Sequence, residues 1–217
     1  MIYGDNIIKS MIEHDSIKHT YEGAINPASI NIRLGNTILV PKKDQIVTLG
    51  EEVQYDRIEM TENNLYLLKS GEFVLATTME LFKIPITVAA FVQGRSSIGR
   101  ACLTIQNAGF VDPGFPGHIT LELKNDGPFD IILVPGYPVG QIIFAEACDV
   151  SRPYEGKYIN QVEATGSRMQ EDIYKPGNQK EIGDEEEEFV IRPVDPYVPE
   201  APEMDLDEIY KDNPDGE

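Results

Sequence analysis

The chain has 217 residues, 41 % of them apolar and 25 % charged, with a formal net charge of −19. That length and apolar share suit one globular domain with a tail rather than a disordered polymer. The negative charge argues against nucleic acid as a partner held by counterion release. No apolar run reaches the roughly 18 to 20 residues a membrane span requires, so no membrane partner is expected.

The start, Met1-Ile2-Tyr3-Gly4-Asp5, lacks the basic and apolar regions of a signal peptide, so a cytoplasmic location is expected. Charge is spread unevenly. Residues 169–217 carry 17 acidic and 4 basic side chains, a net −13, which leaves −6 for residues 1–168. A small polyanion remains a feasible ligand where basic groups converge, with a divalent cation offsetting the surrounding field.

Residues 5–14 read as a short helix capped by Asp5, with Ile7, Ile8, Met11 and Ile12 on one face. Short strand-like runs follow at 29–34, 37–40, 66–69, 73–77, 88–93, 103–106, 118–124, 131–134 and 141–147. Gly35-Asn36, Lys69-Ser70-Gly71, Asp112-Pro113-Gly114, Asn125-Asp126-Gly127 and Pro135-Gly136 supply the turns. Many short strands with few helical intervals predict a mainly β body, a sandwich or barrel. Cys102 and Cys148 each fall in an apolar run and read as free core thiols.

From Met169 the patterning fades. Asp184–Glu188 is an unbroken acidic run, and Pro193, Pro196, Pro199, Pro202 and Pro214 punctuate the rest. Such a composition cannot bury enough surface to offset chain entropy. The expected organisation is a domain over 1–168 and a flexible, irregular acidic tail over 169–217.

Zinc-type deaminase chemistry needs a His or Cys, a Glu two residues on, and a downstream Cys-x-x-Cys. The two cysteines here are 46 apart and His14, His19 and His118 do not fit that spacing, so no zinc is expected and the histidines read as surface residues. Gly94-Arg95-Ser96-Ser97-Ile98-Gly99-Arg100 lacks the Gly-Lys-Ser/Thr form of a phosphate loop, and a strand-to-helix context is not evident from sequence. It reads either as a solvated turn or as an anion cradle, in which Arg95 and Arg100 fork phosphate oxygens beside the donors of Ser96 and Ser97.

Asp112, before Pro113-Gly114, is first of all a turn former. Alternation sets Glu122 opposite Ile119, Leu121 and Leu123, and beside Thr120 only if a bulge intervenes; it is either a solvent-facing edge residue or a cleft carboxylate. Tyr154, Lys157, Tyr158, Gln161 and Ser167-Arg168 either close over a ligand or form plain surface loop.

Together these segments resemble the dCTP deaminase family of the dUTPase-like superfamily. Asn26 to Gly35 is similar to its N-terminal signature, Arg95 to Arg100 to its phosphate-binding stretch, Asn107 to Glu122 to its nucleoside site, and Tyr154 to Arg168 to its closing segment. The resemblance covers about residues 1–170 and leaves the tail outside. It implies a dUTPase-like distorted β-barrel or jelly-roll and a homotrimer with shared active sites. It also implies Mg2+ bound through the triphosphate and water rather than by protein ligands.

By position, Glu122 matches the catalytic glutamate. Arg95, Ser96, Ser97 and Arg100 match phosphate-binding or pocket-shaping residues, with Ser96 orienting water and Arg100 keeping Glu122 ionised. Asp112 would meet the deoxyribose 3′-hydroxyl, Asn107 and Gly109 fall in the nucleoside stretch, and Thr120 and Leu121 would line the base site. Tyr154, Lys157 and Gln161 would contact sugar and phosphates.

Gly109 and Phe110 stand where members that only deaminate carry a His-Arg pair. The Asn107-to-Asp112 form therefore resembles the subgroup that turns dCTP directly into dUMP, with Asp112 helping to activate water. Asn31 replaces a usual Asp, and Val162-Glu163-Ala164 replaces a Gly-Pro-containing segment. The alternatives are a deaminase releasing dUTP, a dUTPase without deamination, and a non-enzymatic regulator using the acidic tail on an unknown partner. Thymidine triphosphate is a further candidate ligand, as an inhibitor.

Overall fold

The computed structural model describes residues 1–106 and 109–172. Helix α1 spans Asp5–Glu13 and is followed by β1 (Ile17–Lys18), β2 (Ile25–Asn26), β3 (Ser29–Pro41), β4 (Tyr55–Glu59) and β5 (Tyr66–Leu68). Next come β6 (Phe73–Thr78), β7 (Leu81–Lys83), β8 (Val88–Gly94) and the short helix α2 (Ser96–Arg100). The order continues with β9 (Leu103–Gln106), β10 (Phe110–Val111), β11 (Pro116–Gly117), β12 (Thr120–Asn125), β13 (Ile131–Leu133) and β14 (Pro138–Glu146). A 3-10 turn at Met169–Glu171 ends the described part. The rest of the expected acidic tail, from residue 173, lies outside the described residues.

The main sheet has the order β10-β8-β14-β3-β6-β12-β9, with β2 and β4 also paired to β3, and it curls into a half-barrel. Small sheets β1-β7-β11 and β13-β5 complete the mainly β body. Among the described residues no helix is long and apolar enough to cross a membrane.

Strand β3 organises the sheet. Gly35-Asn36 was expected to be a turn between two strands; instead β3 passes straight through it, with a register shift between Leu34 and Ile38. The glycine serves a close approach, since a Cβ on Gly35 would lie 2.5 Å from Thr77 Cγ2. The irregularity bends β3, so its first half pairs with β14 and its second half with β4 and β6.

Other local expectations are corrected. Gly4, not Asp5, caps α1; Asp5 sits inside the first turn, bonded to Lys9 at 2.7 Å, where a carboxylate suits the helix dipole. The buried face of α1 is Ile8 and Met11, whereas Ile7 is 42 % exposed. Neither cysteine is a core thiol. Cys102 is half-buried in the left-handed turn after α2, and Cys148 is exposed just past the end of β14. His14 and His19 are exposed, but His118 is half-buried and its Nδ1 hydrogen-bonds the Thr78 carbonyl at 3.0 Å. A strand-to-helix context does exist at Gly94–Arg100, where β8 runs into α2.

One ion pair is built into the core. Glu80 is fully buried; Arg33 Nε donates to its Oε1 at 2.7 Å and the Arg33 backbone N–H to its Oε2 at 2.9 Å. The same guanidinium donates to the His19 carbonyl and stacks 4.9 Å above the Tyr21 ring. Removing one partner strands a buried charge and an unpaired backbone donor. Glu80→Ala is expected to cost about 3–5 kcal/mol of folding free energy in urea denaturation, without the loss of cleft residues.

Candidate active site

Strand β12 has a regular in-and-out burial pattern and pairs with β6 without a register shift. Leu121 and Leu123 are buried at 1 % and 0 % exposure, against Ala76 and Val74 of β6. Thr120 and Glu122 leave by the opposite face. Two residues apart, they share that face by strand period alone, so the bulge expected as a condition is not needed. Directly paired residues carry the same face across the sheet: Glu122 faces as Leu75 does, Leu75 as Leu39, and Leu39 as Arg57.

A cleft of about 520 Å³ lies on this face. Its floor is Thr120, Glu122, Leu75, Phe73 and Tyr55. One wall comes from Phe110–Asp112 and Phe115, held by β10 on β8 and by a turn in which the Phe115 N–H donates to the Asp112 carbonyl at 3.2 Å. The roof is a strap, residues 153–168, which contributes Tyr154, Tyr158, Gln161 and Thr165–Ser167.

Hydrogen bonds explain why the strap lies there. Tyr154 N–H donates to the Pro113 carbonyl at 2.8 Å, Asn160 N–H to Pro116 at 2.9 Å, and His118 N–H to Gln161 at 2.9 Å. Thr120 is the junction. Its hydroxyl donates to Gln161 Oε1 at 2.6 Å and accepts from Thr165 N–H at 3.1 Å. Phe115 and Tyr154 pack with ring centroids 5.6 Å apart.

Of the sequence-predicted site residues, Asp112, Thr120, Glu122, Tyr154 and Gln161 meet at this cleft. Leu121 does not line it; the alternation that presents Glu122 sends the Leu121 side chain into the core. Lys157 is turned away, its Nζ donating to Asp172 Oδ1 at 2.5 Å and to the Arg168 carbonyl at 3.1 Å. Hydrogen bonding to Asp172 holds this ammonium above the usual lysine range, and Glu171 does the same for the Arg168 guanidinium.

Arg95, Ser96, Ser97 and Arg100 sit at α2 and do not line the cleft of their own chain. Ser96, Ser97 and Arg100 are exposed, while Arg95 Nη1 donates to the Pro138 carbonyl at 3.0 Å. Gly109 lies beside the wall, its carbonyl accepting from Val92 N–H at 2.7 Å, and Asn107 lies outside the described residues. Sequence reasoning missed Tyr55, Phe73 and Leu75. Strand register alone brings them to Glu122, and only a correct pairing of β4, β3 and β6 would have found them.

Chemically, the cleft offers an acid-base group in an apolar setting. Glu122 is half-buried between Leu75 and Thr120, and it forms no ion pair among the described residues. Asp112 stands at the mouth, exposed. No lysine or arginine belongs to the described lining.

The dCTP deaminase-like family profile matches residues 2–147. A "dCTP deaminase, dUMP-forming" of Sulfurihydrogenibium sp. strain YO3AOP1 is 39 % identical over 175 residues, covering 78 % of this chain and 97 % of the relative. That of Aquifex aeolicus is 38 % identical over 178 residues (79 % and 97 %), and that of Methanosphaera stadtmanae 36 % over 188 residues (79 % and 95 %). In fold, the chain is similar to the crystal structure of 2′-deoxycytidine 5′-triphosphate deaminase from Agrobacterium tumefaciens, with a TM-score of 0.56 and 21 % identity. That match covers 67 % of this chain and 48 % of the longer protein. The profile and the relatives agree: this chain belongs to the dCTP deaminase-like family.

Proposed function

We propose that the chain hydrolyses dCTP twice, releasing ammonia from C4 of cytosine and pyrophosphate from the triphosphate to leave dUMP. The observation that carries this reading is Glu122, a half-buried carboxylate on the cleft floor with no ion-pair partner among the described residues. A free carboxylate there can take a proton from water as the oxygen attacks C4. It delivers that proton to N3, then carries the proton of the new C4 hydroxyl to the amine; the C4–N4 bond breaks as the C4 carbonyl forms, and ammonia leaves. A second water attacks the α-phosphorus, and the bond to the bridging oxygen breaks to free pyrophosphate. Asp112, at the mouth of the same cleft, would meet the sugar 3′-hydroxyl and orient that second water.

Mg2+ is the cofactor of this reading, carried by the triphosphate. The donor set fits: the described lining offers carboxylate, hydroxyl and amide oxygens and neither thiol nor imidazole, which suits a hard cation that keeps its water shell. Bound there, the ion would neutralise phosphate charge. Glu122 needs no zinc for the proton transfers assigned to it. Selection for deoxyribose would follow from apolar packing beside the sugar, where Phe115 and Ile119 leave a 2′-hydroxyl without a partner. The reading places the enzyme in the cytoplasm.

The homotrimer belongs to the same proposal. One chain presents Glu122 in a cleft whose described lining has no cation, and elsewhere presents Arg95 and Arg100, which form no ion pair among the described residues. A triphosphate needs both groups. A neighbouring copy that places α2 at the cleft mouth would supply the guanidinium forks and the Ser96 hydroxyl, and would set Arg100 beside Glu122.

Wild-type protein given dCTP and Mg2+ is expected to yield ammonia, dUMP and pyrophosphate in equal amounts. Glu122→Gln should slow ammonia release by about 10²- to 10⁴-fold while nucleotide still binds. Near-normal deamination in that variant removes Glu122 from its role, and accumulation of dUTP removes the second hydrolysis. Shared sites give a separate outcome. Coexpressed one-to-one, inactive Glu122→Gln and Arg100→Met chains should regain about a quarter of wild-type activity, because mixed trimers contain some sites with both residues intact. No recovery contradicts the shared site.

A further inference from the structure

Strand β4 takes no part in the motifs of this chain, yet it touches the strap at three points. Tyr55 and Arg57 stand two residues apart, so both side chains leave by the face that carries Leu39, Leu75 and Glu122. The Tyr55 hydroxyl accepts a hydrogen bond from Ser167 N–H at 3.3 Å. Its ring lies close against Gly166, where a Cβ would fall 2.8 Å from Tyr55 Cε2. Arg57 Nη2 and Nε donate to Glu163 Oε2 at 2.6 and 3.1 Å, and Glu163 holds the guanidinium above its ordinary range. Within the described residues β4 pairs with β3 alone, which leaves its other edge open to the strap.

We infer that β4 is the clamp of the closing strap, with Tyr55 a positioning residue that, together with Arg57, seats residues 163–167 so that Tyr158 and Gln161 stand over Glu122. Tyr55 also lines the cleft floor, so loosening the strap from it opens the roof of the site itself. The grip is built to be broken. An exposed ion pair and one hydroxyl contact are weak contacts in water, strong enough to bias closure and weak enough to release product. Glu163 lies in the Val162-Glu163-Ala164 segment that departs from the family pattern, and Arg57 gives that departure a partner. The kinetic consequence rests on the deaminase reading; the strap geometry does not.

The test uses the full chain with Tyr55→Phe, Arg57→Gln and Gly166→Ala. Trypsin cleaves the strap after Lys157 and Arg168. Each variant should be cut there about 2- to 10-fold faster than wild type, at unchanged Tm, because each loses one modest contact. KM for dCTP should rise by a similar factor in each, and in Arg57→Gln, whose side chain lies outside the cleft lining, kcat should stay within about twofold of wild type. Gly166→Ala should match Tyr55→Phe although it removes no polar group, since its methyl displaces the same ring. Equal cleavage rates in all three variants and wild type overturn the clamp, as does a fall in Tm and kcat with KM unchanged. Absence of dCTP turnover in the wild type would sink the deaminase reading, while the cleavage rates would still decide the clamp.

Discussion

The period-two alternation of β12 is the constraint on which the site rests. One face of that strand must fill the core, and Leu121 and Leu123 do so at almost complete burial. The other face is thereby committed to the cleft, and Thr120 and Glu122 cannot turn inward without pulling the leucines out. β6 enforces the register from one side, pairing Glu122 with Leu75, and β9 from the other, pairing it with Gln106. A carboxylate presented by a central strand is held more firmly than one on a loop, which is what the proposed proton-transfer role would require. Thr120 extends the same logic to the roof, because its hydroxyl ties the strap to the strand that carries Glu122.

Electrostatics divide the labour among regions. The cleft keeps two carboxylates, Asp112 and Glu122, and no cation in its described lining. The strap's own cations are occupied: Lys157 by Asp172 and Arg168 by Glu171, all beyond the last strand. Among the described residues, Arg95 and Arg100 at α2 form no ion pair. On the proposed reading, the proton-transfer group stays free and the phosphates would be neutralised from outside, by Mg2+ and a second copy. On that reading the cleft of one chain is incomplete, and assembly and activity should be linked.

Much of this was legible in the sequence where a rule of period or turn chemistry applied. β6, β8, β9 and β12 fall within a few residues of their expected places, as does α1, since each has a clear apolar pattern. Gly35-Asn36 misled because a glycine marks a close approach as readily as a turn, and the deciding atom, Thr77 Cγ2, is 42 positions away in the chain. The two-residue strands β1, β2, β10 and β11 are too short to have a period. Leu121 was placed at the base site by position, although the alternation that freed Glu122 buries its neighbour. Tyr55, Phe73 and Leu75 join the site through strand pairing, which no local pattern encodes. Cys102 and Cys148 read as core because their apolar runs do; both stand at the end of the run, where the chain turns outward.

The most direct test of the proton-transfer role is the structure of the assembled protein with a non-hydrolysable dCTP analogue and Mg2+. The account predicts the Glu122 carboxylate within about 3 Å of a water poised over C4 and of N3, with Arg100 from another copy beside it. A cytosine ring seated away from Glu122, or a Glu122 carboxylate facing bulk water in the assembly, would contradict it.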